Sequence, residues 1–291
     1  INEKIMLSLE GKYEKTNDIM EKCIINNDFQ RSLLYSEMTL LEKEGLYREL
    51  SNINISNLDE YLYIDNKDNI YTKTYQKLDI RTFRESNFSK LLGDDYSKTK
   101  WIWKEDTLFN TKKNSLFIGR YIRNMNFYHK PGMLFLKMND QFFEDILETV
   151  KEEKGTYLFA DNVGQICYEK LADGIHISDE SKEKMASFIQ SNIKDEHSND
   201  FYKANTIKEG IVLYNYHNKS GFTIVTLIPN SILNQVTNSI IGIMLAVYII
   251  VILFVFYCSD YFSKRFTKPI TEINNAMIDF DGQDFSKTLN I

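Results

Sequence analysis

Apolar residues at Ile5, Leu9, Tyr13, Ile19, Met20, Cys23 and Ile24 recur among charged neighbours at a helical period. That spacing predicts one long amphipathic helix over residues 1–28, stopped by Asn26, Asn27 and Asp28. A second helix is expected over 34–50, with Gly45 inside it. From Tyr61 the pattern changes to strand, with a polar turn over 65–69 and a returning strand. Residues 80–92 read as a short helix ended by Gly93; strands follow at 101–104, 115–123 and 132–138. Asn139 or Asp140 then caps a helix to Val150. A helix over 178–196 and strands at 201–206, 210–217 and 222–228 complete the pattern before polar positions vanish altogether. Residues 240–258 contain no charge, no Asn, Gln, Ser or Thr, and one Gly. A helix of that length reaches roughly 28 Å, the hydrocarbon thickness of a bilayer.

Two stretches repeat in the same order. Tyr61-Leu-Tyr-Ile-Asp65-Asn66 matches Tyr157-Leu-Phe-Ala-Asp161-Asn162, and Lys130-Pro-Gly132 with its following strand matches Lys219-Ser-Gly221 with its own. Repeats of this length predict two similar α/β modules in tandem, not a solenoid. Few residues, and no Gly-rich linker, separate the last strand from the apolar helix, so a stiff connection able to transmit a shift is expected. Lys264, Arg265 and Lys268 follow the apolar stretch closely, whereas the nearest preceding cation is Lys219. The positive-inside rule therefore puts the C-terminal tail in the cytoplasm and residues 1 to about 235 outside.

Composition narrows the function. The chain has 291 residues, a net charge of −6 and 13% aromatic residues, enough for one or two proper cores and against disorder. Neither the acidity nor any basic stripe supports nucleic-acid binding. The first residues are too polar for a signal peptide, so an upstream membrane segment is expected. Three cysteines make no disulfide framework; Cys23 and Cys167 are expected as buried free thiols, and Cys258 lies at the inner end of the apolar stretch. His129, His176, His197 and His217 lack metal-ligand spacing, and no nucleophile elbow, P-loop or dinucleotide fingerprint occurs, so no catalytic residue, metal or cofactor is expected in this chain. Acidic pairs at Asp94–Asp95 and Glu152–Glu153 read as solvated surface. What remains is binding. Trp101 and Trp103 share one face of a strand, and Tyr121 and Arg123 share a face of its neighbour, with Arg120 on the other. Aromatic walls with one cation suit a small anionic or polar ligand. Ordinary core packing of the two tryptophans is the competing account.

A long first helix, two hairpin-rich modules, the closing strand Gly221-Phe-Thr-Ile-Val-Thr-Leu-Ile-Pro229 and a membrane helix together resemble the double Cache sensor domain of bacterial receptors. The resemblance implies an α+β fold of two tandem PAS-like modules on the long helix: a membrane-distal module over about 55–150 and a membrane-proximal one over about 151–235. A transmembrane helix over 236–259 and a partial HAMP domain over 260–291 would follow. Arg265-Phe-Thr-Lys268-Pro269-Ile-Thr-Glu272 looks like a HAMP start, with Lys268, Pro269 and Glu272 as its marker positions. Ile270, Ile273, Met277 and Phe280 would form its seam, and 281–285 the turn that ends its first helix. That seam needs a partner chain, implying a homodimer. Double Cache domains bind ligand in the distal module, which points again to the Trp101–Trp103 region; direct contact with an extracellular binding protein is the alternative. Tyr121-Ile-Arg123-Asn and the strands at 132–138 and 222–228 are most similar to YesM-like sensor histidine kinases. A kinase region beyond Ile291, using ATP and a response-regulator partner, is thereby implied. A chemoreceptor or a diguanylate cyclase could carry the same front end, and an anchored adhesion protein is the structural alternative.

Overall fold

The computed structural model describes residues 2–278 apart from 36, 75–77, 79, 86–87, 110, 112, 126–129, 151–154 and 196–200. His129, His197, Glu152, Glu153, Phe280 and the expected turn at 281–285 lie outside the described residues. The chain divides into two compact units, residues 1–230 and 231–291.

The first unit opens with α1 (Asn2–Ile25), which buries Ile5, Leu9, Tyr13, Thr16, Met20 and Cys23 along one face. Asn26 ends it and also starts α2 (Asn27–Leu34), its side chain accepting from the Asp28 and Phe29 N–H groups. The helix expected over 34–50 begins only at Leu40, and α2 is a helix that was not expected. Tyr35 leaves the helical region at the end of α2, and α3 (Leu40–Ser51) begins afresh at a capping box of Thr39 and Glu42. The polar residues 26–28 therefore interrupt the helix for one residue only.

Ten strands build two sheets of the same design. The first contains β1 (Leu58–Ile64), β2 (Ile70–Thr72), β3 (Lys100–Glu105), β4 (Asn114–Ile122) and β5 (Gly132–Met138), in the spatial order β2-β1-β5-β4-β3. Between β2 and β3 lie α4 (Ile80–Glu85) and α5 (Phe88–Leu92), and after β5 comes α6 (Gln141–Leu147), continued by a single tight turn to Val150. The second sheet contains β6 (Thr156–Ala160), β7 (Ile166–Lys170), β8 (Phe201–Ile207), β9 (Gly210–His217) and β10 (Phe222–Pro229), in the order β7-β6-β10-β9-β8, with α7 (Asp179–Asp195) between β7 and β8. All neighbours are antiparallel. Each sheet thus has a first hairpin, a helical crossover and three further strands whose last one returns to the centre.

The sequence repeat has a structural cause. Asp65 Oδ1 accepts from the N–H groups of Lys67 and Asn69, and Asp161 Oδ1 accepts from those of Val163 and Gln165. The third turn position takes positive φ in both, at Asp68 (69°) and Gly164 (78°). An aspartate that ties down a tight turn is needed at the same place in each sheet.

Three apolar clusters follow from the two faces of each sheet. The largest gathers α1, α2, α3 and α6 with one face of the first sheet (Tyr61, Leu116, Ile118, Leu136) and with Tyr157, Phe159, Phe222 and Ile224 of the second. The other face of the first sheet packs on α4 and α5 through Leu62, Phe83, Phe88, Phe117 and Phe135. The other face of the second sheet packs on α7 through Leu158, Met185, Ile189, Val212 and Val225. Central strands buried on both sides, such as β5, explain why their sequences are almost continuously apolar.

The second unit is helical. Its helix α8 (Asn230–Phe262) begins at the residue after β10 ends, and its large apolar side chains from Ile240 to Phe256 are exposed except for the half-buried Ile252. It is long and apolar enough to cross a membrane, with a mean hydropathy of 3.0 over its most apolar window. A π-helical turn, Ser263–Thr267, leads into α9 (Lys268–Ile278). Pro269 accounts for that turn: it has no N–H and its ring crowds the carbonyl four residues back, so the preceding turn widens and Lys268 N–H bonds Ser263 O instead.

Candidate functional site: a crevice between the two sheets

The sequence singles out Trp101, Trp103, Tyr121 and Arg123, and the structure divides them. In the antiparallel register Trp101 lies opposite Ile118 and Trp103 opposite Leu116, which puts both indoles on the α1 face of the first sheet. Tyr121 lies opposite Met133 on the other face, where it packs on the α4–α5 cluster and against Tyr96 at 4.6 Å. Arg123 falls just beyond the end of β4 and is exposed; its carbonyl accepts from Gln30 Nε2 at 2.8 Å. The four do not line one pocket, because the alternation of β4 turns Tyr121 away from the tryptophans. The cation on the tryptophan face is Arg120, whose Nη1 donates to Asn17 Oδ1 at 2.8 Å and Thr99 Oγ1 at 3.1 Å.

The two tryptophans instead meet the second sheet. Trp101 is buried against Tyr13 of α1 (5.9 Å between rings), Phe142 of α6 (5.2 Å) and Phe222 of β10 (6.0 Å). Trp103, half-buried, meets Phe143 at 5.9 Å. Beside them a crevice of about 480 Å³ runs along β3, with the β6–β7 turn (Asp161, Asn162, Val163) and the β9–β10 turn (Asn218, Lys219, Ser220, Gly221) on its far side. β3 is the edge strand of its sheet, so one side of its backbone stands outside the ladder. Trp101 Nε1 and Trp103 Nε1 are both buried without a hydrogen-bond partner among the described residues. Asp161 is committed to its own turn, and burial pushes its carboxyl above the ordinary value.

Sequence reasoning passed over the far wall of the crevice. Both turns were visible as the repeated segments, but a repeat carries no information about what the turn faces. It also passed over a polar stripe on α1. Glu10, Glu14, Asn17 and Glu21 are spaced to share one side of the helix, and each holds a group from a sheet. Glu10 binds His217 Nε2 and Lys219 Nζ, and Glu14 binds Lys219 at 2.7 Å. Asn17 and Glu21 bind Arg120, and Asn17 also accepts from Thr99. His217 Nδ1 accepts from the Ser220 N–H, leaving Nε2–H to donate to Glu10. Burial alone would raise the Glu10 carboxyl, but the Lys219 and His217 hydrogen bonds hold it down at about 2. The first half of α1 is thereby fastened to the second sheet and the second half to the first sheet.

Cys23, Cys167 and Cys258 are free thiols; Cys23 is buried and its thiol pushed up to about 12, whereas Cys167 is only half-buried. Lys268, Pro269 and Glu272 lie on α9 in the second unit, with Glu272 exposed.

No protein-family model matches the chain, and no curated protein does. Solved structures do. The extracellular domain of the histidine kinase candidate vpHK1S-Z8 superimposes with a TM-score of 0.55 at 11% identity, over 80% of this chain and 95% of that one. That of rpHK1S-Z16 gives 0.53 at 10% identity, over 80% and 94%. A domain of a sensory box/GGDEF family protein from Vibrio parahaemolyticus gives 0.53 at 12% identity, over 80% and 94%. At these identities the likeness is one of fold: two antiparallel sheets in tandem led by a long helix, as in those extracellular domains, here followed by one long apolar helix.

Proposed function

We propose that this chain is the signal-sensing and transmembrane-relaying front end of a bacterial receptor, with residues 1 to about 235 outside the membrane, α8 across it and α9 in the cytoplasm. The observation that carries the reading is α1. One helix is bonded to both sheets, and β10 of the second sheet ends at Pro229, immediately before α8 begins at Asn230. A signal received by either sheet reaches the other through α1, and reaches the membrane helix through β10 with no linker to absorb it. The apolar stripe Ile270, Ile273 and Met277 on α9, exposed in the single chain, pairs with a second copy as the first helix of a HAMP bundle. The output is a protein-histidine kinase using ATP and a response regulator, as the resemblance to YesM-like kinases suggests. The likeness in fold to a GGDEF-family sensor leaves a cyclase as the second reading.

Orientation is tested with Lys208→Cys and Glu272→Cys in a background with Cys167 and Cys258 replaced by serine. In intact cells a membrane-impermeant maleimide labels position 208 and spares 272, and lysis exposes both; labelling of both in intact cells would remove the transmembrane reading. Radiolabelled ATP supplied to membranes of the full-length polypeptide separates the outputs: an acid-labile phosphoprotein marks the kinase.

A further inference from the structure

We propose that the second sheet carries a docking face for a second copy of this chain, on the strip between α1 and the edge strand β8. The strip follows from the sheet alone; the choice of partner rests on the receptor reading above. Register fixes its members. Asn215, Leu213 and Ile211 of β9 lie opposite Ile224, Thr226 and Ile228 of β10, on the α1 face of the sheet. Tyr202, Ala204 and Thr206 of β8 lie opposite Asn215, Leu213 and Ile211, so they share that face. α1 runs along it, held by Asn2 at Thr226 and by Glu10 at His217. Leu7 stands one turn before Glu10 on the same side of the helix and is 67% exposed. β8 is left uncovered: Tyr202 is 63% exposed, Ala204 and Thr206 are exposed, and Ile211 and Leu213 beside them are half-buried.

The repeated design shows what is missing. β3 holds in the first sheet the edge place that β8 holds in the second. Its residues on the α1 face, Trp101 and Trp103, are covered by Phe142, Phe222 and Phe143. Tyr202 has no such cover among the described residues. The strip carries no charged side chain, since Lys203 alternates to the other face of β8. An exposed tyrosine among small and aliphatic residues without charge is the composition of an interface core.

Its place in the chain selects the occupant. Asn230, from which α8 starts, donates its backbone N–H to Glu209 O and its side-chain N–H to Lys208 O, both at 2.9 Å. The β8–β9 turn is therefore fastened to the root of the membrane helix. Two chains joined through the α9 stripe enter one membrane in one direction, which brings their β8–β9 hairpins to the same height beside each other. The apolar strip on that hairpin then meets its own copy, in a contact that uses the same patch on both chains.

The full-length chain is tested in its own membranes, with Cys167 and Cys258 replaced by serine. Ala204→Cys and, separately, Glu183→Cys are treated with a membrane-impermeant bifunctional maleimide; Glu183 is exposed on α7, which packs on the other face of the sheet. A product of twice the chain mass is expected from Ala204→Cys, at about tenfold the yield from Glu183→Cys and undiminished by dilution with excess lipid. Adding Tyr202→Asp lowers that yield about fivefold. A monofunctional maleimide still labels position 204 at its former rate, which certifies that the strand is intact. Equal yields at 204 and 183, full yield with Tyr202→Asp, or a product of another mass would overturn self-docking on this face. Ile273→Cys, oxidised with copper phenanthroline, reports on the α9 stripe by itself. Crosslinking at 273 without any at 204 removes the docking face and leaves the paired α9 helices; crosslinking at 204 without any at 273 does the reverse, and crosslinking at neither removes both.

Discussion

Asp65 and Asp161 show how much a single side chain decides. Each closes a turn by accepting two backbone N–H groups, and replacing Asp65 by Ala is expected to cost about 1–3 kcal/mol, measured by denaturant unfolding. The following turns separate two effects of added bulk. Gly164 and Gly174 both have positive φ (78° and 76°), but a Cβ at Gly164 would stand 2.7 Å from the Ala186 carbonyl oxygen, whereas nothing lies within 4 Å of one at Gly174. Gly174→Ala should therefore cost only the conformational strain, about 1 kcal/mol, and Gly164→Ala clearly more. The aspartate turns were legible because their hydrogen bonds are local and their residue types are dictated by the turn. The split of Trp101 and Trp103 from Tyr121 was not, since alternation fixes sides within one strand and only the register between β3 and β4 relates the two strands.

Among the elements, α1 is the one on which most others rest. Its buried positions were legible from the helical period, and truncating Leu9 to Ala is expected to destabilise the fold by about 2–5 kcal/mol. Its polar stripe gives it a pH dependence. The folded Glu10 carboxyl titrates at about 2, below its ordinary value of 4.5. Its contribution to stability is accordingly present above pH 4.5 and drains away as the pH falls toward 2. Melting temperatures taken from pH 6 to pH 3 should fall, and Glu10→Gln should flatten the fall in part; Glu209, held at about 2 by Ser178 and Ser181 despite its burial, supplies a share that Glu10→Gln leaves in place. The break before α3 escaped notice because Leu33, Leu34, Leu40 and Leu41 carry the apolar pattern across it. The Thr39–Glu42 capping box was the written signal for it.

For the molecule as a whole, the tandem design and the apolar helix were the most legible features, one from a repeat in sequence and the other from the absence of polar positions. The crevice was the least legible, being formed by β3 and two turns that lie about 60 and 120 residues away in the chain, and such tertiary encounters leave no local pattern. Two copies of one design need not behave as two bodies. Tyr61 and Leu136 of the first sheet, Phe159 and Phe222 of the second, and Leu9 and Tyr13 of α1 belong to one continuous apolar cluster. Neither sheet can lose its packing without stripping a wall from the other. Calorimetry of the chain should record a single heat-absorption peak for residues 1–230, its measured enthalpy equal to that deduced from the sharpness of the transition, where two independent modules would give two peaks. A protein built by repetition would thus melt as though it had been made once.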